Sequence, residues 1–107
     1  MIQAKQQKIS SKDIAELKAS SQDVAGMLKN LANPHRLLIL CLLSEGELSV
    51  SELAKHIDLE QSPLSQHLAR LRAEGLVKTR KESQTVFYSI ADPNVETIIG
   101  TLHSIYC

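Results

Sequence analysis

The sequence predicts a mainly α-helical fold with a small β-hairpin wing, a winged helix-turn-helix in the order α-α-α-α-β-β-α. Three observations predict it: two capped amphipathic segments joined by a short turn, a basic hairpin after them, and an apolar final stretch at helical spacing. With 107 residues the chain has the length of one compact domain, so we interpret residues 1–107 as a single domain. Residues 1–10 are largely polar, and we expect them to be flexible.

The first helix of the predicted helix-turn-helix starts at Ser49. The sequence SVSE at 49–52 has the form of a capping box, in which the Ser49 hydroxyl accepts the amide proton of Glu52 and the Glu52 carboxylate accepts that of Ser49. Apolar residues follow at helical spacing up to Ile57, and residues 58–61 are interpreted as the turn.

The second helix is expected to use Ser62 as its N-cap and Pro63 as its first helical residue, where no amide proton is needed. Leu64, Leu68 and Leu71 share one face because they fall at i, i+4 and i+7. The opposite face has no bulky apolar group and consists of Ser62, Gln66, Ala69, Arg70 and Ala73. Such a face can enter a DNA major groove, where Gln pairs with adenine and Arg with guanine or phosphate.

The charge is unevenly distributed along the chain, although the formal net charge is zero. Residues 44–60 are acidic. The basic residues of 61–81, opposed by Glu74 alone, are Arg70, Arg72, Lys78, Arg80 and Lys81. Because DNA affinity depends on local phosphate contacts rather than on the total charge, this segment predicts a DNA-binding surface. The alternative is an ordinary solvated face.

Two helices are predicted before the helix-turn-helix. Residues 11–32 have apolar residues at loosely helical spacing, with a candidate interruption at residues 19–21. Asn33 and Pro34 begin the next helix as its cap and first turn. Residues 37–43 are apolar without a break, which predicts a helix buried on all sides as the central element of the core.

A β-hairpin is predicted directly after the second helix of the helix-turn-helix. Residues 76–80 and 85–90 are interpreted as strands because they are rich in β-branched and aromatic residues, with residues 81–84 as the tip. A basic hairpin at this position is typical of a wing, which can lie over the phosphate backbone or in the minor groove. The candidate DNA contacts on it are Lys78, Arg80, Lys81 and Gln84.

The last helix is predicted to start at Asp92 and Pro93. Its apolar stripe consists of Val95, Ile98, Ile99, Leu102, Ile105 and Tyr106. This stripe packs either on its own domain or on a second copy of the chain, together with the helix near residues 14–31. We favour the homodimer, because a two-fold operator requires two DNA-reading helices about 34 Å apart.

Several classes of protein are disfavoured. No apolar run approaches the roughly 20 residues of a membrane span, and the first twelve residues lack the apolar core of a secretory signal, so we expect a cytoplasmic protein without a membrane partner. No glycine-rich phosphate loop, nucleophile–base spacing or Cys-x-x-Cys motif is present. We therefore expect neither an enzyme nor a cofactor.

Four motifs resemble the ArsR/SmtB family of bacterial winged-helix repressors over nearly the whole chain: LANPHRLLILCLL (31–43), ELSVSEL (47–53), SPLSQHLARLRAEGLV (62–77) and TVFYSI (85–90). The resemblance implies double-stranded operator DNA as a partner. It places Ser62, Ser65, Gln66 and His67 where the family contacts the operator. On a helical wheel His67 lies beside the apolar face, so a packing or phosphate-contacting role is the alternative for this residue.

Members of the family differ in what they sense. The Cys-Val-Cys of the arsenic- and cadmium-responsive branch is replaced by Ser49 and Ser51, whose hydroxyls are not ligands for soft metals. The zinc-responsive branch uses ligands on the last helix, where this chain offers Asp92, Glu96 and a lone His103. We expect no metal site, but a metal-sensing regulator is kept as an alternative, as is a winged-helix domain that binds proteins.

The two cysteines, Cys41 and Cys107, resemble the persulfide- and thiol-sensing branch of the family, with one thiol in the second helix and one at the end of the last. The resemblance implies that reactive sulfur species or oxidants act as inducers by joining them through a disulfide or a polysulfide. A disulfide requires Cα atoms about 4.4–6.8 Å apart, which a sequence does not reveal. The alternative is that Cys41 is an unreactive small apolar residue with a raised pKa.

Overall fold

The computed structural model describes residues 9–107. Five helices and three strands follow one another in this range. They are α1 (Ser11–Leu31), α2 (Pro34–Leu43), β1 (Leu48–Ser49), α3 (Val50–His56), α4 (Gln61–Ala73), β2 (Val77–Glu82), β3 (Thr85–Ile90) and α5 (Pro93–Tyr106). The predicted winged helix-turn-helix is confirmed, with one short strand, β1, added before α3.

The first helix, α1, is continuous, so the interruption considered at residues 19–21 is wrong. The Ser20 hydroxyl donates to the backbone carbonyl of Glu16 at 3.0 Å, and the Ser21 hydroxyl donates to that of Lys18 at 2.9 Å. Serine side chains are therefore satisfied along the helix here, instead of competing with its backbone hydrogen bonds.

The start of α1 lies at the end of the segment that was expected to be flexible. Ser10 is the N-cap, and its side chain and that of Asp13 form a capping box with the backbone. Ile9 and Ser10 of the segment predicted to be flexible are described, whereas its residues 1–8 lie outside the described residues.

The second helix, α2, begins as predicted. The Asn33 side-chain oxygen accepts hydrogen bonds from the backbone amides of His35 and Arg36 at 3.0 and 3.1 Å. The expectation that this helix is buried on all sides is wrong, because Leu38 is 40% exposed. The elements packed on α2 cover its other sides and bury Ile39, Leu40 and Leu43, but they leave the side of Leu38 open.

The helix-turn-helix is formed by α3 and α4. The predicted capping box is confirmed, since the Glu52 amide donates to the Ser49 hydroxyl at 3.2 Å and the Ser49 amide donates to the Glu52 carboxylate at 2.9 Å. The predicted start of the second helix is wrong, because Glu60 is the N-cap and makes no side-chain cap bond. The helix starts earlier because Pro63 falls in the first turn, where backbone amides have no intrahelical partner in any case.

The wing is longer than predicted. Lys81 and Glu82 belong to β2 and pair with Val86 and Thr85, so the tip shrinks from four residues to a two-residue turn. Ser83, the first turn residue, has a φ of 55°. A positive φ at this position is the feature of a type II′ turn, whose twist matches that of the flanking strands and lets the ladder continue to the tip.

The short strand β1 turns the hairpin into a three-stranded sheet in the order β1-β3-β2. Leu48 and Ser49 pair antiparallel with Tyr88 and Phe87 of β3. The sequence analysis missed this strand because two residues are too few to show an alternation. Since Ser49 is also the N-cap of α3, the sheet and the helix-turn-helix share a residue.

The last helix, α5, begins as predicted, with the Asp92 carboxylate accepting the Asn94 amide at 2.9 Å. Val95 and Ile99 are buried, whereas Ile105 and Tyr106 are 65% and 80% exposed. The predicted stripe is therefore covered in its first half only. None of the helices between residues 9 and 107 is both long enough and apolar enough to cross a membrane.

Candidate DNA-binding surface and cysteine pair

The α4 helix is held in place by its apolar side. Leu64, Leu68 and Leu71 are completely buried in a core that also contains Leu53 and Ile57 of the preceding helix and turn. Since α4 also contacts α2, α3 and β2, this face fixes which side of the helix remains free. The predicted apolar face of the second helix is confirmed.

The free side of α4 presents the residues expected to bind DNA. Ser62, Gln66 and Arg70 follow one another at intervals of four residues and form one stripe, with Ser65 beside it. All four side chains belong to exposed residues. The stripe combines hydroxyl, amide and guanidinium groups without bulk, which is the surface that a major groove accepts.

His67 lies differently from the other expected DNA contacts. It is half-buried, and its ring centroid is 5.6 Å from that of His35 near the start of α2. Burial lowers the pKa of His67, and the positive charges of Arg36 and His35 lower it further. A largely neutral imidazole packed between two helices supports the packing role considered for His67.

The wing carries the other expected contacts. Lys78, Lys81 and Gln84 are exposed, and no ion pair of the two lysines is found among residues 9–107. Lys78 and Lys81 project from opposite faces of β2, because side chains alternate along a strand. Both lysines are therefore available to phosphates, one on each side of the wing.

Arg80 is engaged within the protein. Its guanidinium donates to both carboxylate oxygens of Glu47, at 2.5 and 3.2 Å, and to Glu82 at 2.6 Å, while it lies 4.7 Å from the centre of the Phe87 ring. The hydrogen bonds raise the pKa of Arg80 and lower that of Glu47. The sequence analysis did not identify Glu47 and Phe87 as partners, since Glu47 lies 33 residues away and outside the predicted hairpin.

The two cysteines lie on helices that contact each other. Cys41 is half-buried on α2, Cys107 is exposed at the end of α5, and both are free thiols. Burial raises the pKa of Cys41, and the negative charge of a Cys107 thiolate raises it further. The two thiols therefore belong to helices that contact each other, although 66 residues separate them along the chain.

The metal ligands considered on the last helix do not come together in the monomer. Among residues 9–107 no group of three or more His, Cys, Asp or Glu side chains is placed to hold a metal ion. Asp92 is occupied as the N-cap of α5, as its position beside Pro93 predicted. Glu96 and His103 are exposed on the same helix.

An apolar surface of α1, α2 and α5 is left uncovered. On α1 the exposed apolar residues follow one another at alternating intervals of three and four if Ser21 is included, and they are Ile14, Leu17, Val24 and Leu28. Leu38 of α2 and the last residues of α5, Ile105 and Tyr106, are also exposed. This spacing is the pattern of a helix that packs along another helix.

Comparisons with known proteins place this architecture. The model of "Bacterial regulatory protein, arsR family" matches residues 33–79. Transcriptional activator HlyU of Vibrio cholerae is 50% identical over 95 residues, which are 89% of this chain and 88% of HlyU. The solved structure of reduced HlyU from Vibrio cholerae has a TM-score of 0.82 at 51% identity, over 86% of this chain and 97% of that one. The transcriptional repressor BigR from Xylella fastidiosa has a TM-score of 0.81 at 36% identity, over 88% and 96%.

The sequence identity extends over nearly the whole winged helix-turn-helix, and the compared proteins agree on one fold family. These similarities agree with the structure, in which the polar face of α4 and the basic wing are exposed. The chain belongs to the arsR family of bacterial regulatory proteins and is a DNA-binding transcriptional regulator, not an enzyme.

Proposed function

We propose that this protein is a homodimeric repressor that releases double-stranded operator DNA when Cys41 and Cys107 become joined by sulfur. The observation that carries the proposal is the placement of the two thiols on two helices that contact each other. The inducers would be reactive sulfur species or oxidants, since these react with thiols.

In the proposed complex, α4 enters the major groove and the wing follows the phosphate backbone. The side chains proposed to reach bases or phosphates are Ser62, Ser65, Gln66 and Arg70 of α4, and Lys78, Lys81 and Gln84 of the wing. His67 supports α4 from the protein side through its contact with His35. The free lysines make this binding dependent on salt, because each phosphate contact releases counterions.

The second copy is proposed to pack on the uncovered apolar surface. The α1 face from Ile14 to Leu28 leaves four large apolar side chains 43–60% exposed, and such a run of exposed apolar residues is typical of an interaction surface. Pairing these faces across a two-fold axis would place two copies of α4 on one side of the dimer, as a two-fold operator requires.

The chemistry of induction can be written for an organic trisulfide, RSSSR. The thiolate of the exposed Cys107 attacks the central sulfur and displaces one RS⁻, and the thiolate of Cys41 then attacks the same sulfur and displaces the second. The products are a trisulfide between the two cysteines and two molecules of RSH, which carry the two protons. Hydrogen peroxide would give a disulfide and water instead.

A bridge of this kind would act through α5. It ties the end of α5 to α2, and the same end carries Ile105 and Tyr106 of the proposed dimer surface. A displacement of α5 would therefore change how the two protomers pack and how far apart the two α4 helices lie. Since a two-fold operator requires a fixed spacing, its affinity would fall.

The proposal is tested with a duplex that the reduced wild-type protein selects from a random-sequence pool. Treatment with an organic trisulfide should weaken binding of this duplex, and a thiol reductant should restore it. Intact-protein mass spectrometry should then show one sulfur atom more than an internal disulfide, and no added R group.

The Cys41→Ser and Cys107→Ser double variant is the matched control. It should bind the selected duplex as the reduced wild type does and should not respond to the trisulfide. A response of the double variant equal to that of the wild type would refute the sensing proposal, and failure of the wild type to select any duplex would refute operator binding.

A further inference from the structure

Arg80 crosses the outer face of the three-stranded sheet. It is on β2, its cross-strand partner Phe87 is on the middle strand β3, and Glu47 directly precedes β1. Neighbouring strands lie about 4.8 Å apart, so the side chains of Arg80 and Glu47 together span the roughly 10 Å from one edge of the sheet to the other. On the way Arg80 lies over the Phe87 ring, with 4.7 Å between the guanidinium carbon and the ring centre.

The far end of this contact is the start of the helix-turn-helix. Glu47 is two residues before Ser49, which is the last residue of β1 and the N-cap of α3. Both carboxylate oxygens of Glu47 accept hydrogen bonds from Arg80, so its side chain is held in one orientation. The ion pair therefore joins the wing to the segment from which α3 starts.

The charges around Arg80 disfavour a phosphate contact. One guanidinium is flanked by two carboxylates, those of Glu47 and Glu82, so the group carries a formal charge of −1. The Glu47 pKa is lowered by its hydrogen bond with Arg80, which keeps this carboxylate ionised at neutral pH. A phosphate would have to displace two anions from Arg80, whereas Lys78 and Lys81 require no such displacement.

The geometry points to Arg80 as a positioning residue, which sets the orientation of the wing relative to α3 and α4 through Glu47 and makes no phosphate contact of its own. This inference rests on the proposed binding of operator DNA, and it assigns the wing contacts to its lysines. The lysines reach the backbone at the correct distance only if β2 keeps its position relative to α4.

The size of the expected effect follows from the exposure of the group. Isolated surface ion pairs contribute little, but a bidentate arginine with a second carboxylate and an aromatic ring is the arrangement in which they do matter. Loss of the contact in both protomers should weaken operator binding by about three- to tenfold. The fold itself depends on the buried leucine core, so the variants should remain folded.

The test measures affinity for the selected duplex against salt concentration for four single variants and one double variant of the full chain. Arg80→Met removes the charge, Arg80→Lys keeps it without the bidentate fork, and Glu47→Gln leaves Arg80 intact but removes its main partner. Lys81→Met is the matched control, since it removes a lysine from the next position of the same strand.

A positioning residue predicts that Arg80→Met, Arg80→Lys and Glu47→Gln all weaken binding to a similar extent and flatten the salt dependence by the same amount, because each variant loosens the same lysine contacts. The double variant of Arg80→Met and Glu47→Gln should be no weaker than either single variant, because both break one contact. Lys81→Met should flatten the plot of log affinity against log salt by about 1.8 for the dimer, the value for one phosphate contact per protomer.

Two results would overturn the inference. A phosphate contact by Arg80 predicts that Glu47→Gln tightens binding, because it frees the guanidinium, and that Arg80→Met flattens the salt dependence whereas Glu47→Gln does not. A third result, no salt-dependent duplex binding by the wild type, would refute the proposed operator binding and this inference with it. The first two concern Arg80 alone, so the two failures are distinguishable.

Discussion

The helix-turn-helix and the α1–α5 side of the molecule have similar apolar patterns and opposite exposures. In α4 the predicted apolar face is buried within the chain, and Leu53 of α3 and Leu64 and Leu68 of α4 have no exposed surface. On α1, Leu17 is 60% exposed although it lies on an equally regular apolar face. Helical spacing of apolar residues therefore predicts that a helix face is covered, but it does not identify the segment or the partner that covers it.

The two regions differ in whether their apolar residues are covered within a single chain. The apolar residues around α4 are buried within a single chain, so the orientation of α4 does not depend on a partner. The α1 face lacks a partner among the described residues, and its intervals of three and four residues are those of a helix that pairs with another helix. The helix-turn-helix therefore fixes the orientation of the DNA-reading helix α4. We propose that the α1 face sets the spacing of the two α4 helices in a dimer.

The largest effect is expected on the free energy of unfolding, in the core around α4. Leu68→Ala removes a fully buried side chain and should lower the free energy of unfolding by about 2–5 kcal/mol, measured by urea denaturation, because a cavity remains in a close-packed core. Leu17→Ala is the control on the other region, and its effect should depend on protein concentration. A loss below about 1 kcal/mol for Leu68→Ala would contradict the described core.

The next largest effect is expected on dimer formation, at the exposed apolar face of α1. The double variant Leu17→Glu and Val24→Glu places charges on the α1 face and should turn a dimer into a folded monomer, as judged by sedimentation velocity and circular dichroism. Affinity for the selected duplex should fall about 100-fold or more, because the two half-sites are no longer bound together. A variant that remains dimeric would show that this face does not form the dimer.

A smaller effect is expected where the wing sheet meets the helix-turn-helix. Ser49→Ala removes the side chain that caps α3 and should cost about 1 kcal/mol of stability, measured by thermal or urea unfolding. Ser51→Ala changes an exposed serine of the same helix and should have little effect. Equal losses in the two variants would contradict the capping role.

The smallest effect should appear in the pH dependence. The pKa of His67 is lower in the folded protein than its ordinary value of 6.5, so the unfolded chain binds the proton more readily. Stability from this group is present above pH 6.5 and is lost as the pH falls below it. The melting temperature of the wild type should therefore decline below pH 6.5.

In the variant His67→Gln this decline should be smaller than in the wild type. His56→Gln removes an exposed imidazole of α3 and should keep the decline of the wild type. If His67→Gln and the wild type lost stability in parallel on acidification, another group would be responsible.

Much of the fold followed from local signals. The caps at Asn33, Ser49 and Asp92 act within three residues of themselves, so their hydrogen bonds could be predicted from neighbouring residues alone. The apolar face of α4 was predictable for the same reason, since residues i and i+4 share a face wherever the helix packs. The start of α4 was misplaced because the two signals used, Ser62 and Pro63, are tolerated anywhere in the first turn, and Glu60, the actual N-cap, makes no side-chain cap bond.

Contacts between distant segments were less predictable. The pairing of β1 with β3, the bridge from Arg80 to Glu47 and the packing of His67 on His35 each join segments that are at least 30 residues apart. No periodicity records such a contact. As a consequence, Arg80 and His67 were grouped with the free DNA contacts by charge and motif, although their surroundings differ from those of Gln66 or Lys81.

The sequence by itself determined the order of helices and wing, the two faces of α4 and the presence of a cysteine on each of two helices, because these depend on residue type and local spacing. Only the tertiary structure decided which of the basic residues are free, which apolar faces are covered, and that the helices of Cys41 and Cys107 contact each other. Burial and charge pairing depend on what the rest of the chain brings to a residue, and that depends on the fold as a whole.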